Sequence, residues 1–191
     1  MYLLPIGDTV CENEQSLFCD LARGDGRAFA TLMERYLNMV YSIACGMLGN
    51  HADAEDVCQE VFLRLHRRAA TLTSHHSLRL WLYRTCLNCC LDELRRRSRR
   101  PVLSSGAGME LIESGVQGPE QLAANRGFDS QVISCLLQLP PRQRAVFTLR
   151  HFVGLTIAEI SATLGCAPGT VKCHLSRSLA AIREMLPDWQ S

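Results

Sequence analysis

Residues 28 to 48 place Phe29, Leu32, Met33, Tyr36, Val40, Ile43 and Met47 at steps of three and four. Only an α-helix turns that spacing into one continuous apolar face, and such a face must be buried against another element. Gly49-Asn50 supplies a stop signal, and from Asp53 to Arg68 the spacing returns in Ala54, Val57, Cys58, Val61 and Leu65. A third helix is expected from Leu78 to Arg97, with Leu80, Tyr83, Leu87, Cys90, Leu91 and Leu94 inside a core sector about 100° wide. This reading leaves Cys86 on the flank of the core and Cys89 nearly opposite it. It gives Trp81, Arg84, Asn88, Asp92 and Arg95 a separate, mostly polar sector.

From Pro101 to Gly127 the apolar periodicity gives way to Gly, Ser, Pro and acidic residues, the composition of a flexible linker. Beyond it come Val132, Ile133, Leu136 and Leu137, a break at Pro140-Pro141, and a helix from about Arg142 to His151. The expectation is an all-α fold of two small helical domains joined by that linker, spanning residues 10–100, 101–127 and 128–191. The stretch TIAEISATLGCAPGTVKCHLSRSLAAIREML closes the second domain. Thr156 and Glu159 fit a capping box that starts a short helix, Leu164-Gly165 ends it, and Pro168 suits the first position of the next. Val171, Leu175, Leu179, Ile182 and Leu186 then form a core stripe, which completes a helix-turn-helix.

The second helix of such a motif enters the major groove of DNA, so its outward residues must be short or hydrogen-bonding near the amino end, with cations around them. Here they are Gly169, Thr170, Lys172, Cys173, Ser176 and Arg177. Net charge is only +1, so no global field marks a partner, but the charge is segregated. Between residues 79 and 100 seven arginines stand against Asp92 and Glu93, whereas residues 53 to 60 hold Asp53, Glu55, Asp56 and Glu60. The basic end of a helix is often merely solvated, but Trp81, Arg84 and Asn88 adjoin this one, and aromatic and amide groups beside guanidinium groups suit stacked, unpaired bases. Phe62 and Leu63 lie off the core stripe near Gln59 and Asp56, as in a protein-docking surface; the alternative is that Phe62 packs on another helix of the domain.

Ten cysteines would mean disulfides in a small secreted protein, yet these are scattered through helical patterns. No apolar run reaches the ~18 residues of a membrane span, and MYLLPIGDTVCENE lacks the pattern of a signal peptide. A cytosolic chain with mostly reduced thiols is expected. A metal sensor built on Cys86, Cys89, Cys90, His75 and His76 is a rival reading, but zinc sites want four ligands in separated pairs, and adjacent helical cysteines diverge by about 100°. No Gly-rich phosphate loop, nucleophile elbow or paired-carboxylate site is present in the sequence, so neither an enzyme nor a cofactor is expected.

DAEDVCQEVFLRLHRR, LRLWLYRTCLNCCLDELRRRSRR, LPPRQRAVFTLRHFVGLTIAEI and LGCAPGTVKCHLSRSLAAIREML, in this order, resemble the extracytoplasmic-function (ECF) group of bacterial RNA polymerase sigma factors over about residues 15 to 190. The resemblance implies that Asp53, Asp56, Gln59, Glu60, Phe62 and Leu63 dock on core RNA polymerase. It implies that Trp81, Arg84, Asn88, Asp92, Arg95 and Arg96, with the loop Ala69 to Ser77, recognise the promoter minus-10 element and hold it open. Gly169, Thr170, Lys172, Cys173, Ser176 and Arg177 would read the minus-35 element. An anti-sigma factor, often membrane-anchored, is the further implied partner. The sequence departs from the family's pattern at Ala167 and Cys173, where Ser is common, and at His174 and Leu179, where Arg is common. A helix-turn-helix activator that never joins polymerase is the alternative within DNA binding.

Overall fold

The structure is a computed structural model that describes residues 11–69, 75–99 and 130–187. The expected loop before the third helix, largely residues 70–74, and the expected linker 101–127 lie outside the described residues. Helix α1 (Cys11–Ala22) leads into α2 (Gly26–Leu48), α3 (His51–Arg68) and α4 (His75–Arg99). Local chemistry sets these boundaries. The Asp25 side chain accepts from the Arg27 amide at 2.8 Å to cap α2, and Gly49, at φ 67°, closes it in the left-handed region that glycine enters without strain. Asn50 caps α3 by accepting from the Asp53 amide at 3.3 Å.

Helices α2, α3 and α4 pack on one another. Val40, Ile43, Val61, Leu65, Leu82 and Cys90 are fully buried between them, each large aliphatic contributing about 1.5–3 kcal/mol through burial. Three expectations are corrected here. Cys86 is 0% exposed and sits in the middle of the buried arc of α4, not on its flank, and Cys89, expected to face away, is also buried. Phe62 is 5% exposed and belongs to the core, so it is not half of an outward apolar pair. The reason is common to all three. Each helix is gripped by two neighbours at different angles, so its buried arc is wider than the single stripe that a one-partner helical wheel assigns.

Helices α5 (Ser130–Gln138) and α6 (Pro141–Phe147) follow, with a π-helical turn (Thr148–Phe152) continuing α6 through the segment expected to be regular helix. Helices α7 (Ile157–Leu164) and α8 (Pro168–Met185) form the helix-turn-helix. Val132, Cys135, Leu136, Leu139, Phe147 and Ile182 give this region a small core of its own. Its remaining apolar residues, among them Val146, Leu149, Leu155 and Ile160, join the core of α2, α3 and α4. The two helical regions are therefore packed together, and residues 42–48 of α2 are buried on every side. Arg144, 6% exposed, crosses this seam. Its guanidinium donates to the Met47 carbonyl at the end of α2 at 2.6 Å, and to the Leu137 and Leu139 carbonyls at 2.7 and 3.1 Å. Burial, with a smaller push from Arg97, lowers its pKa.

Candidate functional site

Three surfaces carry the expected site residues. The first is α8. The capping box is present: the Thr156 amide donates to Glu159 Oε2 at 2.8 Å, and the Glu159 amide to Thr156 Oγ1 at 3.2 Å. Gly165, at φ 64°, turns the chain, while the Ser161 hydroxyl donates to the Cys166 carbonyl at 2.5 Å and fixes the turn. Gly169, Thr170, Lys172, Cys173, Ser176 and Arg177 are all exposed, on the side of α8 away from buried Val171, Ser178 and Ile182. Ala167 caps α8 without a side-chain hydrogen bond, so no side chain competes for the first-turn amides that favour an anion. His174 and Leu179, two of the departures from the family pattern, are half-buried.

The second surface lies on α4. Arg84, Asn88, Asp92, Arg95 and Arg96 are exposed, and Trp81 is half-buried with its ring packed against the core. The arginine run is tied down locally. Arg95 donates to Asp92 at 2.7 Å, Arg96 to Glu93 at 2.7 and 2.8 Å, and Arg97 to Glu93 at 3.1 Å and to Asp53 of α3. The Arg96 hydrogen bond, followed by that of Arg97, holds the Glu93 carboxyl below its ordinary pKa. Arg84 does something else: it reaches across to α7, donating from Nη2 to the Ala162 carbonyl at 2.5 Å and from Nε to the Thr163 carbonyl at 3.3 Å.

The third surface is a groove between α3 and α4, lined by Asp53, Asp56, Glu60, Asp92 and Glu93 with Arg64, Arg96, Val57 and Cys89. Five carboxylates against two guanidinium groups make it acidic. Leu63, 52% exposed, and exposed Gln59 lie on the same helix. Asp92 and Arg96, expected with the DNA-facing set, thus line the same groove as Asp53, Asp56 and Glu60. Phe62 is absent from the surface for the packing reason given above.

The thiols behave as core. Burial pushes the Cys45 thiol up to about 11 and that of Cys58 to about 12, and raises Cys86 as well. Cys86 Sγ lies 3.5 Å from the Val40 carbonyl, which it meets as a weak donor. Among the described residues no group of three or more His, Cys, Asp or Glu side chains is placed to hold a metal ion. None of the described helices is long and apolar enough to cross a membrane. Two structural features escaped the periodicity: the reach of Arg84 to α7, and Gly46, where α2 touches the π-helical turn. A glycine inside an otherwise strong helical pattern was the one available signal for the second.

A helix-turn-helix behind a helical bundle with an acidic groove and a basic-aromatic helix defines a DNA-binding transcription factor with a protein-docking surface. The family model for Sigma-70 region 2 matches residues 32–100, and that for Sigma-70, region 4 matches residues 129–182. The ECF RNA polymerase sigma factor SigW of Bacillus subtilis is 30% identical over 87% of this chain and 92% of its own length. The ECF RNA polymerase sigma-E factor of Escherichia coli is 31% identical over 88% and 92%. Among solved structures, CnrH in complex with the cytosolic domain of CnrY has the same fold, with a TM-score of 0.68 at 23% identity, covering 94% of this chain and 100% of that one. The sigma factor RpoE in complex with the anti-sigma factor NepR, from Bartonella quintana, has a TM-score of 0.65 at 20% identity, over 85% and 98%. The chain belongs to the ECF family of RNA polymerase sigma factors. It is a promoter-specificity factor that binds core RNA polymerase.

Proposed function

We propose that this sigma factor divides its work among the three surfaces. The α3 groove, through Asp53, Asp56, Gln59, Glu60 and Leu63, docks on a basic, partly apolar face of polymerase. Trp81, Arg84, Asn88 and Arg95 on α4 capture the minus-10 element as unpaired bases, while Asp92 and Arg96 stand where that surface meets the groove. The exposed face of α8 reads the minus-35 element as duplex. Residues 10–100 and 128–191 form the two working units, and 101–127 links them. The supporting observation is that Leu63, an aliphatic side chain 52% exposed, lies on the same helix as the groove carboxylates Asp53, Asp56 and Glu60.

The energetics fit the division. Opening duplex costs about 1.4 kcal/mol per stacked step, and stacking a base on an aromatic ring returns about 1–3 kcal/mol. Capture of one or two bases therefore offsets the melting of the first steps, with polymerase contacts supplying the rest. Sigma factors are initiation factors, and the bond-forming chemistry belongs to polymerase. The protein acts in the cytoplasm, and an anti-sigma factor, membrane-anchored in many such systems, covers its surfaces until a signal arrives. The test is affinity for purified core polymerase. Leu63→Asp and Asp56→Arg are expected to weaken binding about tenfold or more each while α8 still binds duplex DNA. Unchanged affinity in both would place docking elsewhere.

A further inference from the structure

Asp53, Asp56 and Glu60 follow one another along α3 at steps of three and four and line one wall of the acidic groove. Like charges at that spacing repel. The two ends of the row are held and the middle is not: Glu60 accepts from Arg64 at 2.6 Å and Asp53 accepts from Arg97 of α4, whereas exposed Asp56 has neither a hydrogen bond nor an ion pair among the described residues. We propose that Arg97, an arginine outside every surface assigned above, is a positioning residue for polymerase docking. It fixes Asp53 against the end of α4, so that the groove presents its carboxylates at constant spacing to a cationic side chain of polymerase. This rests on the assignment of the groove to polymerase.

The guanidinium of Arg97 forks between two helices. Nη2 donates to Asp53 Oδ2 in the first turn of α3, and Nε donates to Glu93 Oε1 on α4 at 3.1 Å. Glu93 in turn accepts from Arg96 at 2.7 and 2.8 Å, so four charged side chains form one chain from the start of α3 to the last turns of α4. Charge-assisted bonds from a planar fork fix their partners in angle as well as distance. The side chain of Arg97 is 37% exposed against 62% for Arg95, and its acceptors Asp53 and Glu93 only 25% and 16%, so this fork is the more sheltered of the two from water and salt. Both acceptors line the groove, while Arg97 itself does not. It therefore meets an occupant only through them.

The charge of Arg97 opposes this role, which gives the role a sign. A cation beside an acidic groove weakens the attraction for a basic partner, so by charge alone its removal strengthens binding. Positioning predicts the reverse. Without the fork Asp53 and Asp56 relax apart and Glu93 loses one of its two arginines, and the occupant must order these side chains as it binds.

The experiment is equilibrium binding of the full chain to purified core polymerase. Arg97→Met is expected to weaken binding about fivefold, and Arg97→Lys, which keeps the charge without the fork, about twofold. The double variant Arg97→Met with Asp53→Asn is expected to bind like Asp53→Asn alone to within about a factor of two, because Arg97 acts through Asp53. Urea unfolding followed by circular dichroism sets the folded fraction of each variant, and if Arg97→Met is incompletely folded the same cycle is run with Arg97→Gln. Unchanged or tighter binding by the folded Arg97 variants, or a loss that adds in full to that of Asp53→Asn, would overturn the proposal. Leu63→Asp reads the docking assignment separately. Unchanged affinity there sinks that assignment, whereas weakened binding by Leu63→Asp beside unchanged binding by Arg97→Met sinks the positioning role alone.

Discussion

The two faces proposed to read DNA differ in how they are built. On α8 every outward residue from Gly169 to Arg177 is exposed, and the helix is held from behind by Val171, Ser178 and Ile182. On α4 the reading residues are entangled: Trp81 leans on the core, Arg84 is bound to α7, and Arg95 and Arg96 are paired with acids one turn away. A duplex offers a preformed groove, so its reader can be rigid and open. A melted strand exists only after polymerase arrives, and the residues proposed to read it are held in other contacts in the free chain.

The largest effect is expected at the seam. Arg144→Ala removes three hydrogen bonds and leaves the Met47, Leu137 and Leu139 carbonyls without their donor, which should cost about 3 kcal/mol. Urea unfolding followed by circular dichroism would show a lowered midpoint, and a midpoint within error of the unmodified chain would mean that the seam carries little. Thr156→Ala breaks the capping box of α7 and should cost about 1 kcal/mol, lowering duplex binding only as far as stability falls. Lys172→Ala should weaken duplex binding almost uniformly across sequences and reduce the salt dependence by about one ion. A loss confined to one base position would instead make Lys172 a base reader.

Two smaller effects sharpen the contrast. Cys173, on the open face, and Cys19 are exposed and should react with a thiol reagent at once, whereas buried Cys45, Cys58 and Cys86 should wait for unfolding. Mass mapping of the labelled sites checks this, and early labelling of Cys86 would contradict the packed seam and core. On α4 the Glu93 carboxyl is held below its ordinary pKa by Arg96 and Arg97. Its contribution to stability is therefore complete above the unfolded-state value and is lost as pH falls through the lower folded value. Because the arginines are partly exposed, the loss should be small and screened by salt. Acid titration of Glu93→Gln against the unmodified chain should show a shallower fall in stability.

Much of this could be read from the sequence. The steps of three and four from Phe29 to Met47 and from Ala54 to Leu65 located α2 and α3, and the capping box and Gly165 fixed α7, because caps and apolar stripes are local signals. Phe62, Cys86 and Cys89 were misplaced because a helical wheel assumes one neighbour, and each of these helices has two. The burial of residues 42–48 on all sides, and the reach of Arg84 to Ala162, 78 residues away, leave no trace in periodicity. They follow from how two regions meet, and only Gly46 hinted at it. The roles of individual DNA-facing side chains rest on exposure and chemistry, which a sequence states only in part.

Run-off transcription with purified core polymerase and this chain, across a library of promoter fragments, is the most direct measurement of the central claim. A transcript that starts at defined promoters, requires the added chain and weakens with Leu63→Asp is the predicted result. Promoter-specific DNA binding without any such transcript would contradict it.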